Sequence, residues 1–304
     1  MSLYISSLNS GSNGNCYYIG NANEAILVDA GISCRETESR MLRLGLEITK
    51  VKAIFISHEH SDHIKGVETL SKKYRIPIYI TKKTHVSGNL KLEPELVIRF
   101  TSNKKIKIGE LTIIPFSKMH DAADPYSFTV NGNGVNIGVF TDIGTVCNKL
   151  VKHFKTCHAA FLEANYCEEM LENGGYPYYL KQRIRGEHGH LSNHQALELF
   201  RNHRSESLSL VLLSHLSKNN NSPAVVSKLF KEHATSTKIV IASRDKETEV
   251  FEVNAGDNTG IGVIASRDKE SEVFEINAGD KTSKGVNSIR QKSTKEKAGQ
   301  LSLF

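Results

Sequence analysis

The sequence predicts an α/β (α+β) fold from two observations. Short apolar runs typical of buried strands alternate with segments whose apolar residues recur at helical spacing, as residues 53–56 and 64–74 do. In addition, 39% of the 304 residues are hydrophobic, which is enough to bury one sizeable core. The pattern therefore favours one globular unit over two small domains.

The individual elements follow from local patterns. Predicted strands cover residues 3–8, 16–19, 25–31, 53–56, 76–80, 135–140, 159–162, 208–213 and 250–253, and a hairpin covers 104–115. One helix begins at Ser192, which forms a capping box with Gln195, and another begins at Ser222 and Pro223. The Gly/Ser/Asn turn after the first strand lets the backbone approach a metal site or a phosphate closely, and an ordinary hairpin is the alternative.

Residues 57–63 read Ser-His-Glu-His-Ser-Asp-His, directly after an apolar strand. Three imidazoles and two carboxylates this close would repel one another if they were buried without a counterion, and a metal ion is the obvious one. His58 and His60, two apart in extended backbone, project to the same side and can share one ion, while Asp62 and His63 turn toward a second. A solvated polar loop is the alternative, which this spacing after a strand disfavours.

Later strands end in further candidate ligands. Asp142 follows strand 135–140, and a carboxylate there can place one oxygen on each of two ions about 3.5 to 4 Å apart. His215 follows strand 208–213 and supplies an imidazole for the second ion. The first ion needs another imidazole, for which the candidates are His85, His120, His153 and His158.

These motifs resemble the signature of the metallo-β-lactamase superfamily and, within it, the YycJ/VicX (WalJ) group of bacterial metallohydrolases. The likeness runs from Ser-Leu-Asn-Ser-Gly-Ser-Asn-Gly-Asn at 7–15, through Gly-His-Leu-Ser-Asn at 189–193, to Ala-Ser-Arg-Asp at 242–245, and covers about residues 3–253. The resemblance implies a four-layer αβ/βα sandwich and a hydrolase with one or two metal ions. It selects His120 as the remaining ligand, and it implies that Asp29 holds the metal-binding loop by hydrogen bonds rather than by ligation.

The predicted ligands are therefore His58, His60 and His120 for one ion, Asp62, His63 and His215 for the other, and Asp142 shared between them. All of them offer nitrogen or oxygen, so Zn²⁺, Mn²⁺ and Fe²⁺ all fit. Such ions would supply a hydroxide nucleophile near neutral pH, which Asp62 would orient.

A glutamate and a histidine are the candidate proton donor. The order Glu163, His190, His215 is similar to the order in tRNA 3′-processing endonucleases of the superfamily. That likeness implies that Glu163 orients and supports His190 as the general acid. A salt-bridged glutamate and a helix-capping histidine are the alternatives.

The net charge of +6 is concentrated at the carboxyl end, because residues 281–304 alone carry +5. A basic groove on the rest of the chain is therefore not indicated.

The sequence has neither a basic-then-apolar amino-terminal segment nor an apolar run long enough to cross a bilayer, so it predicts neither export nor membrane insertion. Five cysteines without Cys-x-x-Cys spacing predict reduced thiols in a cytoplasm.

Residues 240–257 recur at 263–280, with 16 of 18 positions identical. The predicted division is a catalytic domain at 1–257, a duplicated copy of the terminal strand segment at 258–280, and a basic flexible tail at 281–304. The second copy could add an edge strand, compete with the first copy or stay loose.

The tail ends in Gln300, Leu301, Ser302, Leu303 and Phe304, which look like the bacterial sliding-clamp binding motif. Packing of this segment on its own domain is the alternative.

The favoured function is phosphodiester hydrolysis in DNA by a 5′-to-3′ exonuclease linked to replication or repair, as the resemblance and the tail imply. RNA is an alternative substrate. A small-molecule hydrolase (thioesterase, lactonase or cyclic phosphodiesterase) and a regulatory protein with a vestigial site are the other hypotheses. The tyrosines among residues 176–185 could stack on bases, although packing against the fold is the favoured role.

Overall fold

A computed structural model describes residues 2–255 and 262–264. Its strands are β1 (Leu3–Asn9), β2 (Cys16–Gly20), β3 (Ala25–Val28), β4 (Val51–Phe55), β5 (Ile78–Tyr79), β6 (Val97–Ile98), β7 (Ile106–Ile108), β8 (Leu111–Ser117), β9 (Tyr126–Gly132), β10 (Val135–Phe140), β11 (Ala159–Glu163), β12 (Leu210–Ser214), β13 (Lys238–Ile241), β14 (Val250–Val253) and β15 (Gly262–Ile264). Its α-helices are α1 (Cys34–Arg43), α2 (Ser61–Ile64), α3 (Val67–Tyr74), α4 (Lys82–Ser87), α5 (Asn148–Phe154), α6 (Glu168–Asn173), α7 (Tyr178–Arg185), α8 (Asn193–His203) and α9 (Pro223–Lys231). Single 3₁₀ turns lie at Ile48–Lys50 and Pro94–Leu96.

The strands form two mixed sheets. The first has the order β15-β14-β1-β2-β3-β4-β5-β6 and the second has the order β13-β12-β11-β10-β9-β8-β7. In each sheet one half is antiparallel, and the other half, β3 to β6 or β10 to β13, is parallel. A parallel pair needs a crossover connection, which is usually helical, and α1, α3, α5, α8 and α9 lie in such crossovers.

Apolar side chains occupy three layers between these elements. The middle layer joins the two sheets, with Tyr17 4.8 Å from Phe161 and Phe55 5.6 Å from Phe128 between ring centroids. One outer layer packs α1 and α3 on the first sheet, and the other packs α5, α8 and α9 on the second. The order helix, sheet, sheet, helix confirms the predicted four-layer αβ/βα sandwich.

The local predictions hold for both helix starts. Ser192 and Gln195 form the capping box of α8, and Ser222 caps α9, whose first turn contains Pro223. The helix predicted over 64–74 is instead divided between α2 and α3. Gly66 causes the break, because its amide donates to Ala30 O at 2.8 Å and a β-carbon there would lie 2.0 Å from Ile32 O.

The end of the described chain adds an edge strand. Residues 262–264, which contain the first two residues of the second copy, pair antiparallel with β14. The rest of that copy and the predicted clamp motif at 300–304 lie outside the described residues.

All five cysteines lie within the described part of the chain, and they are free thiols. Among the helices of that part, none is long and apolar enough to span a bilayer.

Candidate metal centre and active site

The candidate site lies where strand ends from both sheets meet. Neighbouring parallel strands end at the same edge of a sheet, so the residues that follow them come together. Asp29 follows β3, the His-rich motif follows β4, Asp142 follows β10 and His215 follows β12. All seven predicted ligands, with Glu163 and His190, form overlapping groups, and within each group the ligand atoms lie within 4.8 Å of one another. Their role as ligands stays a prediction.

Three imidazoles form the first cluster. His58 Nε2 lies 3.1 Å from His60 Nδ1, which lies 3.4 Å from His120 Nε2. His120 Nδ1 donates to Gly189 O at 3.0 Å, which leaves its Nε2 lone pair facing the cluster. Nitrogens bound to one tetrahedral zinc at 2.0–2.1 Å lie about 3.4 Å apart, so the spacing of these atoms fits a shared ion.

The second cluster contains Asp62, His63 and His215. Asp62 Oδ2 lies 3.4 Å from Nε2 of both imidazoles. The two Nδ1 atoms donate elsewhere, His63 to Asp29 Oδ2 at 2.7 Å and His215 to Glu163 Oε1 at 3.1 Å. Because carboxylates only accept, both Nε2 atoms point their lone pairs into the cluster when the rings are neutral.

Asp142 lies between the two clusters. Its Oδ1 is 3.5 Å from His215 Nε2 and 3.9 Å from His120 Nε2, while its Oδ2 is 3.2 Å from His63 Nε2. Oδ2 is buried, and apart from this ion pair with His63 it has no partner among the described residues. A carboxylate buried among imidazole nitrogens needs a positive charge close to it, so the donor set fits bound metal.

The raised pKa values of two histidines in the second cluster also indicate that a positive charge is favoured there. Burial lowers the pKa of His215, but Asp142, Asp62 and Glu163 outweigh it and raise that pKa to about 10. The pKa of His63 is likewise raised against burial, by Asp142, Asp29 and Asp62. A cation bound among these groups would therefore displace protons from the imidazoles.

Asp29 holds the metal-binding loop without joining either cluster. Its Oδ1 accepts from the amide of Ser57 at 2.8 Å, and its Oδ2 accepts from the Ser57 hydroxyl at 2.8 Å as well as from His63. The hydroxyl oxygen in turn accepts from His58 Nδ1 at 2.9 Å, so that the lone pair of His58 Nε2 faces the first cluster. The hydrogen bonds expected of Asp29 are therefore present, and its role in support of a metal site stays a prediction.

Glu163 is fully buried beside the clusters and touches four groups. Its Oε1 accepts from His190 Nδ1 at 2.8 Å and from His215, and its Oε2 accepts from the amides of Ile143 at 2.6 Å and Leu191 at 3.3 Å. Burial raises the pKa of Glu163, but His190 and the hydrogen bonds from both imidazoles lower it to about 2. The pairing of Glu163 with His190 that the sequence indicated is therefore present.

Several polar residues at the site were missed by the sequence analysis. Asn15 Nδ2 donates to Asp62 Oδ2 at 3.0 Å, and Asn165 Nδ2 donates to the carbonyl of His215 at 2.8 Å. Lys118, almost fully buried, donates to Thr141 O at 2.7 Å, and burial lowers its pKa. A lone asparagine or lysine carries no signal of such a role, because both are common in surface loops.

The other histidines considered as ligands lie elsewhere in the fold. His85 Nε2 donates to Leu90 O at 2.9 Å, and His153 stacks on Phe116 with 4.0 Å between ring centroids. His158 accepts from the amide of Asn136 at 3.1 Å. These three histidines thus contact other parts of the fold and lie outside both clusters.

Comparison with known proteins identifies the family to which this fold and site belong. The family described as the β-lactamase superfamily domain matches residues 24–216. The chain is 34% identical to the exodeoxyribonuclease YycJ of Bacillus anthracis over 226 residues, which cover 73% of this chain and 85% of that protein. It is 33% identical to the exodeoxyribonuclease WalJ of Streptococcus pneumoniae D39 over 219 residues, which cover 70% and 81%.

Among solved structures, the metallo-β-lactamase fold protein YhfI of Bacillus subtilis superposes with a TM-score of 0.64 at 16% identity. The superposition covers 83% of this chain and 99% of that one, and at this identity it shows the fold alone. A four-layer sandwich with His/Asp clusters at its strand ends, matched in this way, defines a metal-dependent hydrolase. The chain belongs to the YycJ/WalJ group of the metallo-β-lactamase superfamily.

Proposed function

We propose that this hydrolase is a dinuclear-metal phosphodiesterase that degrades DNA as a 5′-to-3′ exonuclease. The observation that carries the proposal is the pair of adjoining His/Asp clusters that meet at Asp142, with Glu163 and His190 beside them. The exodeoxyribonuclease names of the two relatives support DNA as the substrate. The direction of digestion rests on the likeness to that group.

The proposed ion sites follow the two clusters. His58, His60 and His120 would hold one ion, Asp62, His63 and His215 would hold the other, and Asp142 would serve both. Zn²⁺, Mn²⁺ and Fe²⁺ all suit these nitrogen and oxygen donors. When bound, such ions supply a hydroxide near neutral pH and stabilise the charge that develops on a phosphodiester.

The chain's own groups perform the remaining steps. Asp62 is anchored by Asn15 and partly exposed, so it can orient the attacking water. The Nδ1 proton of His190 is held by Glu163, so Nε2 is the nitrogen that can protonate the departing sugar oxygen. The hydrogen bond from Nδ1 to the buried Glu163 carboxylate holds the ring in this orientation.

The link to replication or repair rests on the tail. We propose that residues 1–257 form the catalytic domain, that 258–280 is a duplicated segment without separate activity, and that 281–304 is a basic flexible tether in a cytoplasmic enzyme. Its last five residues would bind the sliding clamp and raise the enzyme's effective concentration at replicating DNA. These five residues lie outside the described part of the chain.

Degradation of 5′- and 3′-labelled linear DNA by the metal-loaded protein tests the proposal, with Mn²⁺ and Zn²⁺ compared. The matched variant is Asp62→Ala, whose metal content is measured by mass spectrometry. Digestion that starts at 5′ ends and is lost in the variant is the expected result. Absence of digestion under both metals, with folded and metal-bound protein, would overturn the proposal in favour of RNA or a small ester.

A further inference from the structure

A pocket of about 200 Å³ opens beside His190 and His215. One wall comes from a single stretch of chain, in which Tyr176 precedes α7 and Leu180 and Ile184 belong to it. This wall presents a ring and two aliphatic side chains to the space in front of the catalytic histidine. The pocket therefore combines an apolar wall with the polar side chains around His190 and His215.

Helix α7 is fixed to the site by hydrogen bonds. The amide of His190 donates to Ile184 O at 2.9 Å, and Arg183 Nε donates to Asp121 Oδ2 at 2.5 Å, next to His120. The hydroxyl of Tyr176 accepts from Asn219 at 3.0 Å. A group bound on α7 would consequently keep a constant position relative to the proton donor.

The surface of α7 combines exposed aromatic rings with positive charge. Tyr178 is 75% exposed and Tyr179 is 74% exposed, so the prediction that the tyrosines pack against the fold is wrong for these two. The eight residues of α7 include three cations and no acid, and two of these cations are paired with acids outside the helix, Arg183 with Asp121 and Arg185 with Glu172. Exposed rings beside cations are the combination that holds single-stranded nucleic acid, because bases stack on the rings and phosphates are drawn to the charge.

Helical geometry separates the two tyrosines. Residues four apart lie on the same side of a helix, so Tyr179 lies on the side of Arg183, which lines the pocket. Tyr178 lies on the side of Gln182, away from Leu180 and the pocket. Both rings are thus tyrosine rings on α7 with nearly equal exposure, and they differ only in the side of the helix on which they lie.

We propose that Tyr179 stacks on a base of a single-stranded nucleic acid whose neighbouring phosphodiester reaches His190 through this pocket. The inference rests on the proposed function and adds the element that holds the substrate strand. Arg183, which is paired with Asp121, lines the pocket on the path of the backbone.

The test compares wild type, Tyr179→Ala, Tyr179→Phe and Tyr178→Ala as Mn²⁺-loaded proteins. Each is given a single-stranded oligonucleotide with ordinary bases and one with abasic residues at its first three positions. KM for digestion is measured, and Kd is measured by fluorescence anisotropy on phosphorothioate versions that resist cleavage. Loss of one stacked base is expected to raise KM and Kd about tenfold.

The expected result is that Tyr179→Ala weakens binding of the ordinary strand and abolishes the preference for it over the abasic strand. Tyr179→Phe, which keeps the ring, should restore that preference, and Tyr178→Ala should match wild type. Equal losses in Tyr178→Ala and Tyr179→Ala, or none in either, would overturn the inference. A wild type that binds with this preference but cleaves neither strand would retain the stacking residue and reject the proposed function.

Discussion

Glu163 accepts a hydrogen bond from His190 Nδ1 at 2.8 Å through the same oxygen that His215 Nδ1 approaches at 3.1 Å. One buried carboxylate thus orients the proposed proton donor and one proposed metal ligand together. Because the second Glu163 oxygen accepts from two backbone amides, the carboxylate cannot turn away from either imidazole without losing hydrogen bonds. Substitutions of Glu163 and His190 should therefore have different consequences.

We expect His190→Asn to lower kcat on DNA about 10²- to 10⁴-fold, since a general acid would be lost. Metal content should stay as in wild type, because His190 is not among the proposed ligands. On thymidine 5′-(p-nitrophenyl phosphate), whose leaving group departs without a proton, the loss should be much smaller. Equal losses of kcat on the two substrates would contradict the role of His190.

We expect Glu163→Gln to reduce both kcat and metal affinity. The neutral amide removes the charge that holds His215, and loss of such a supporting partner weakens metal binding roughly 10- to 100-fold. Competition with a chelator measures the affinity, and His190→Asn is the matched control that leaves His215 and its carboxylate intact. Wild-type affinity in Glu163→Gln would show that His215 does not depend on this carboxylate.

We expect Asp29→Asn to loosen the metal-binding loop. The single oxygen of an amide cannot accept from the Ser57 backbone amide and from His63 at once, because these two donors bind different oxygens of Asp29, and a buried donor left unsatisfied costs about 1–3 kcal/mol of unfolding free energy. Denaturant unfolding and metal titration should both register the change. The exposed substitution Asp245→Asn serves as control, and equal effects of the two would count against the loop-holding role.

The cysteines should differ in reactivity with pH. Burial raises the pKa of the Cys16 and Cys157 thiols, so these groups stay neutral in the folded protein above pH 9, where an ordinary thiol is largely thiolate. Iodoacetamide at pH 9 should therefore label the half-buried Cys147 and Cys167 first and should reach Cys16 and Cys157 only after unfolding. Mass spectrometry of peptides from folded and urea-treated protein checks this order.

Deletion of residues 300–304 should abolish binding to the bacterial sliding clamp and leave the hydrolysis of free DNA unchanged. The apolar positions are expected to carry the affinity, so Leu303→Ala should weaken binding far more than Ser302→Ala does. Surface plasmon resonance on immobilised clamp gives the affinities. Clamp binding that survives the deletion would remove the tail from the proposal.

The candidate ligands could be predicted from sequence because their residue types are rare together and each follows an apolar strand. His58 to His63 form one continuous motif, and Asp142 and His215 each come directly after a strand. Alternation of strands with helical segments predicted the fold class, whereas several elements, among them β9, β13, α1 and α5, were not predicted. Their boundaries depend on packing across the sheets rather than on a strong local pattern.

What the sequence determined by itself is thus the fold class, the residues of the candidate metal-binding motif and the start of α8, because all three depend on local spacing and capping. The tertiary structure decided which distant residues meet. Only the convergence of β4, β10, β11 and β12 brings Glu163 between two histidines and buries Lys118 beside Asp142. These relationships arise from long-range strand pairing, which places residues tens of positions apart within a few ångströms of one another.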